Sequence, residues 1–286
     1  MAWHDTWNEP PPRRGFFVDR GGLFPPGVKL VLILTVAVFL MEGVWGSVFV
    51  ALGALTVESL LRLELWRLVS YMFLHANSTH LLVNMFMFWM LGSVLERQIG
   101  TRRFLLLYFA CGVAGGLFEA AFNYLMFLKF GHTFLTMPAV GASAGVMGIL
   151  VAFATLNPRE KLLIFFILPV EAWWVAVVYG LFETWPILQD LVFSRNPTWG
   201  DNVAHAAHFG GMVVGFVWIK WGERIARLMR RGSARREEVF SDRTHEEEDA
   251  EMDRILDKIR DEGLDSLTLR EKMFLHEMSR KRRREP

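Results

Sequence analysis

A single cysteine, Cys111, sits inside an apolar run of the 286-residue chain. That excludes a disulfide framework and any cysteine-built zinc site. Charged side chains are scarce over most of the length. Residues 1–222 carry 14 Lys and Arg and 13 Asp and Glu, whereas residues 223–286 carry 17 and 17. Soluble domains are about one-quarter charged, so the first stretch is depleted about twofold and the second enriched about twofold. Neither sign dominates: the net charge of +1 gives no general electrostatic drive toward nucleic acid. The absence of HExxH excludes the usual zinc-peptidase helix. The absence of an internal repeat weakens a transporter built from duplicated halves. Residues 1–27, with Pro10 to Pro12 and mixed charge, do not read as a cleavable signal peptide.

What is present is apolar length. A helix crossing hydrocarbon needs about 20 mostly apolar residues, and six stretches qualify: 29–50, 68–95, 104–126, 136–156, 172–190 and 202–221. Glu119 interrupts the third and Glu183 the fifth. The run Leu162–Pro169 either belongs to the fifth or lies along the interface, with Pro169 marking a break. The expected fold is all-α, a polytopic six-helix membrane bundle followed by a soluble helical hairpin. Basic residues in short loops set orientation. With the N-terminus inside, 14 Lys and Arg lie on the inner side and only Arg62, Arg67, Lys129 and Arg195 on the outer. Both termini are therefore expected in the cytoplasm. Residues 51–67 form an outer loop with a short amphipathic stretch from Val57 to Trp66.

Ionisable and polar groups inside spans are costly and mark function by default. The second span contains FLHANSTHLLVNMF, with His75, His80 and Asn84; His80 and Asn84 are four apart and share a helix face. The fourth carries GASAG, with Ser143 between Gly141 and Gly145. The sixth opens DNVAHAAHFGGMVVG, with His205 and His208 three apart and Gly211 and Gly215 following. Singly, each has a plain structural reading. A membrane serine usually bonds its own i−4 carbonyl, spaced glycines let helices approach, and a lone histidine near an interface is usually a satisfied structural residue. Together they supply the parts of an acyl-transfer site. A serine hydroxyl needs an adjacent base, a neutral imidazole serves near pH 7, and an Asn amide with a His N–H can face a developing oxyanion. Asp5, Asp19, Asp190 and Asp201 all fall in tails or loops, leaving no aspartate to orient the base. The expected site is a Ser–His dyad.

The order HxxxxHxxxN, GxSx and AHxxHxGG on three successive apolar stretches resembles the rhomboid family of intramembrane serine proteases. Trp66–Arg67 and LGSVLERQIGTRRFLLLY support the likeness, which covers about residues 28–222. The resemblance implies a six-helix core that opens outward and cuts transmembrane segments of other proteins. It implies Ser143 as nucleophile, His208 as base, and His80, Asn84 and the Ser143 backbone N–H as oxyanion donors. His75 matches a structural histidine, and Gly211 and Gly215 match glycines that pack the sixth span against the fourth. Met147 stands where the family often has an aromatic ring against the base; a thioether contacts imidazole but fixes it less firmly. No cofactor or metal is implied. The expected partners are transmembrane-protein substrates and the lipid bilayer, with no nucleic acid, and the expected location is a bacterial inner membrane. The alternative is a non-catalytic rhomboid-like protein that binds client helices.

Beyond the membrane domain, residues 223–250 read as a charged linker. Residues 251–286 read as a cytoplasmic helical hairpin, with apolar periodicity through Met252, Ile255, Leu256, Ile259, Leu269, Met273, Phe274 and Met278. Gly263 fits a helix C-cap, and Thr268 with Glu271 has capping-box spacing. Its role is either solubilising or docking to a cytoplasmic partner.

Overall fold

The computed structural model describes residues 22–164, 167–193 and 203–282, and side chains for all of these except 47, 193, 223–249, 277 and 280–282. The chain divides into two units, Met1–Glu223 and Arg224–Pro286. The first is a helical membrane bundle. Its elements are α1 (Pro26–Gly53), α2 (Val57–Leu61), α3 (Arg67–Ser70), α4 (Ser78–Ile99), α5 (Thr101–Phe130), α6 (Thr133–Thr136) and α7 (Ser143–Leu156). A two-stranded hairpin, β1 (Lys161–Ile164) and β2 (Leu168–Glu171), then leads into α8 (Ala172–Leu188), and the opening turns of α9 (His205–Glu262) complete the unit.

Helices long and apolar enough to span a membrane cover Pro26–Gly46, Ser78–Ile99, Thr101–Phe130 and Ala172–Val192. α7 is apolar but has only 14 residues. The core runs along the α4–α5–α7 contact, where Phe88 meets Tyr108 and Phe104 at ring-centroid distances of 4.9 and 5.7 Å. One buried carboxylate ties the bundle's start to it. α1 opens on Pro26 in its first turn, and the next two N–H groups, of Gly27 and Val28, donate to Glu96 at 2.8 and 2.7 Å. These are donors a helix leaves unpaired at its N-terminus, where negative charge is favoured.

Three expected boundaries are corrected. The second span is not one helix over 68–95. α3 and a 3₁₀ turn at Tyr71–Phe73 precede α4, which begins at Ser78 because the Asn77 side chain accepts the His80 N–H at 2.8 Å as an N-cap. His75 therefore lies before the helix. The fourth span begins at Ser143, not 136. Leu55 and Ala139 pair as extended backbone, and the Gly141 N–H donates to the Tyr71 carbonyl at 2.9 Å. Gly141 has φ +128, which an L side chain rarely adopts. The run before the fifth span is not part of that helix but forms the β1–β2 hairpin, with Leu163 opposite Pro169. The 51–67 segment contains α2, whose capping box pairs Thr56 and Ser59. Arg67 fastens this segment by donating to Glu64 and to the Ala54 carbonyl.

The second unit is helical. Residues 223–250, expected as a charged linker, have helical backbone within α9; the stretch is rich in Arg and Glu, which favour helix. Gly263 (φ +85) ends α9, a 3₁₀ turn follows at Leu264–Ser266, and α10 runs from Leu269 to Arg282. Glu271 accepts from the Thr268 N–H and hydroxyl at 2.7 and 2.8 Å, and its own N–H donates back to the Thr268 hydroxyl at 3.3 Å.

Candidate active site

α7 begins at Ser143, so this hydroxyl stands at a helix N-terminus rather than along a helix face. Its Oγ lies 2.7 Å from Nε2 of His208, on the first turn of α9. The approach depends on backbone contact between helices without side chains in the way. A Cβ on Gly211 would lie 2.0 Å from the Ala144 carbonyl oxygen, and one on Gly215 would lie 2.3 Å from that of Gly148. The nearest neighbours of Gly141 and Gly145 lie on other elements. Gly145 packs on the Tyr108 ring of α5, and Gly141 faces the His80 imidazole. Ala144 and Gly148 are four apart on one face of α7, and their carbonyls are what Gly211 and Gly215 of α9 meet.

His80 and Asn84 sit one turn apart on α4. A Cβ at Gly141 would fall 2.7 Å from His80 Cε1, 3.0 Å from His80 Nε2 and 3.6 Å from Ser143 Oγ. Only a glycine there leaves room for imidazole and hydroxyl on one side of the chain. Asn84 is buried and donates one amide hydrogen to the His80 carbonyl at 2.9 Å; the amide has a second. His75 is buried before α4, with its N–H on Glu42 and its ring 5.1 Å from that of His80. Met147 is half-buried and packs against the core.

Two carboxylates that were read only as interruptions of spans flank the start of α9. Glu119 of α5 accepts the Ala207 N–H at 3.1 Å and an Asn123 amide hydrogen at 3.1 Å. Ala207 is the third residue of α9, whose N–H the helix itself does not use. Glu183 of α8 has Oε2 at 2.6 Å from His205 Nδ1 and 3.0 Å from His208 Nδ1. His205 is thus held by a carboxylate within the bundle. On α8 the buried residues are Ala172, Val175 and Glu183, which share one face. The signal was available, because an ionisable residue in an apolar span is a functional candidate. Its target was not, because nothing in the sequence spacing places residue 183 beside residue 208.

Glu183, His205 and His208 offer three ligand atoms within 4.8 Å of one another. Two ligands of a tetrahedral zinc ion, each about 2.0–2.1 Å from it, stand about 3.4 Å apart. Separations of 2.6 and 3.0 Å are shorter than that, and the His205–Glu183 hydrogen bond with the same carboxylate's approach to His208 accounts for the cluster.

Comparison with known proteins fits this geometry. The Rhomboid domain matches residues 62–222, and a family of unknown function (DUF6576) matches residues 237–281. Rhomboid protein 1, mitochondrial, of Saccharomyces cerevisiae is 31% identical over 147 residues, covering 51% of this chain and 38% of that protein. Rhomboid-related protein 2 of Mus musculus is 29% identical over 232 residues, covering 73% and 70%. Rhomboid protease GlpG of Yersinia pestis is 26% identical over 195 residues, covering 68% and 62%. The chain thus spans less than two thirds of the yeast and Yersinia proteins.

Proposed function

This chain belongs to the rhomboid family and is an integral membrane protein, and from that premise we propose that it is an intramembrane serine endopeptidase cutting transmembrane segments of other proteins. The observation that carries the reading is the 2.7 Å approach of Ser143 Oγ to His208 Nε2 inside an apolar bundle. Ser143 O–H donates to the neutral imidazole, which takes the proton as Oγ attacks the scissile carbonyl carbon. The carbonyl oxygen becomes an oxyanion. Its donors are the Ser143 N–H, at the positive end of α7, with His80 and Asn84 from α4. The imidazolium returns its proton to the leaving amine as the C–N bond breaks. Water, deprotonated by the same imidazole, then cleaves the acyl-enzyme ester and restores Ser143.

Gly211, Gly215, Ala144 and Gly148 set the helix spacing, Gly141 shapes the space between His80 and the hydroxyl, and His75 is structural. The bilayer is the medium and transmembrane helices are the substrates. The basic-residue asymmetry supports cytoplasmic termini, in a bacterial inner membrane, with the second unit available to a cytoplasmic partner. The test is labelling of purified protein by a fluorophosphonate, wild type against Ser143→Ala. Labelling that disappears with Ser143, together with loss of cleavage of a transmembrane substrate, is expected. A folded wild type that neither labels nor cleaves is a non-catalytic client-binding protein instead.

A further inference from the structure

A Ser–His dyad leaves one ring nitrogen of the base without a role, and in this chain that nitrogen is not in open surroundings. His208 Nδ1 is buried, with no aligned hydrogen bond among the described residues. The carboxylate of Glu183 approaches it from α8 at 3.0 Å, off the direction of the N–H bond. The same oxygen is held at 2.6 Å by His205 Nδ1. We propose that Glu183 is a positioning residue for His208, and that His205 anchors the carboxylate from its other side, so that the site works as a Glu–His–Ser relay. The inference rests on the protease reading above.

The physical case has three parts. Taking a proton at Nε2 requires that the neutral ring carry its hydrogen on Nδ1, and an acceptor beside Nδ1 selects that tautomer. When Nε2 gains the Ser143 proton the ring becomes a cation, and a carboxylate at 3.0 Å stabilises that charge in a setting of low dielectric. An ionisable group on an otherwise lipid-facing helix is costly. On α8 the neighbouring Phe182, Trp185 and Leu181 are exposed while Glu183 is turned inward and buried. The groups facing His208 are Glu183 from α8, His205 from its own helix, Glu119 from α5, whose carboxylate is committed to the Ala207 N–H, and His80 from α4. Of these, only Glu183 offers an anionic oxygen at Nδ1. Small rotation of its carboxylate aligns the bond as charge develops.

The experiment compares wild type with Glu183→Gln, which keeps size and a hydrogen-bonding oxygen but removes the charge. Fluorophosphonate labelling rate, kcat and KM for a transmembrane substrate, and thermal unfolding in detergent are measured together. A relay predicts labelling rate and kcat lower by about 10²-fold or more, with KM changed less than about threefold and folding retained. A purely structural role would lower folding stability and leave the kcat of the folded fraction intact, and that result overturns the proposal. A wild type that does not label overturns the protease reading and this inference together; a labelling wild type with an equally reactive Glu183→Gln overturns this inference alone. If Glu183→Gln does not fold, nitrogen NMR of heavy-isotope histidine in the wild type decides, with His208 assigned by its loss in His208→Ala. The Nδ1–H tautomer is expected, and the Nε2–H tautomer overturns the relay.

Discussion

The two units handle the same residue, glutamate, in opposite ways. In the membrane bundle Glu96, Glu119 and Glu183 are buried, and each has a small, specific set of donors from a distant helix. In the second unit the carboxylates among the described side chains are mostly open to solvent, as in the Glu251–Arg254 pair and the Asp257–Arg260 pair. Exposed pairs of that kind contribute little, about 0–1 kcal/mol each. A buried carboxylate stripped of its donors, or donors stripped of it, costs several times more. The scarce glutamates of the bundle therefore specify where α1 and α9 begin, whereas the abundant ones of the second unit mainly keep a surface solvated. Glu271 is the exception there, buried and held by Thr268, Lys258 and Arg254.

The comparison can be broken first at the bundle's chemistry. His208→Ala is expected to lower cleavage by at least about 10³-fold, while His205→Ala keeps measurable turnover and loses some stability. An active His208→Ala beside a folded, inactive His205→Ala would exchange their roles. Asn84→Ala is expected to reduce kcat by about 10²–10³-fold with binding largely kept, less where His80 and the Ser143 N–H compensate; unchanged kcat in a folded variant removes Asn84 from the site. Next comes Glu96→Gln, which leaves one carboxamide oxygen for two backbone N–H groups. It is expected to destabilise by about 1–3 kcal/mol in detergent unfolding, and a neutral result would mean that α1 is seated without it.

The smallest expected effect belongs to the second unit. The Thr268 N–H and hydroxyl, with Lys258 and Arg254, hold the Glu271 carboxyl down at about 2, below its ordinary 4.5. A group depressed in the folded state stabilises above its unfolded value and loses that contribution as pH falls toward its folded one. Amide protection in α10 should therefore be flat from pH 7 to about 5 and fall progressively between about pH 4.5 and 2, with Glu271→Gln abolishing that dependence. A pH-independent α10 would place Glu271 with its solvated neighbours.

Much of this was legible in the sequence, for reasons that also explain the rest. Hydropathy located the apolar stretches because burial in lipid is a property of composition. The capping box at Thr268 and Glu271 was legible because it is local, three residues apart. Helix starts at Ser78 and Ser143 were not, since Leu74 to Asn77 and Met137 to Gly141 leave helical geometry without interrupting apolar character enough to register. The neighbours of Gly145 and Gly148, on α5 and α9, were not legible because spacing gives a face but not the helix it meets. Glu183 was visible as an anomaly, yet its meeting with His205 and His208 depends on how α8 leans on α9, and a sequence separation of 22 puts that beyond any local pattern.

α7 itself sets the depth of the chemistry. Its 14 residues rise about 21 Å, against hydrocarbon about 30 Å thick. The helix is therefore about 9 Å short of crossing the hydrocarbon, and residues 137–142 before Ser143 are irregular backbone instead of helix. Irregular backbone at that level is tolerated only where protein or water, not lipid, surrounds it. The shortness of one helix thus leaves the Ser143 end of α7 joined to backbone that must be walled by protein or water. On the protease reading proposed above, that same requirement gives the hydrolytic water a route that avoids lipid.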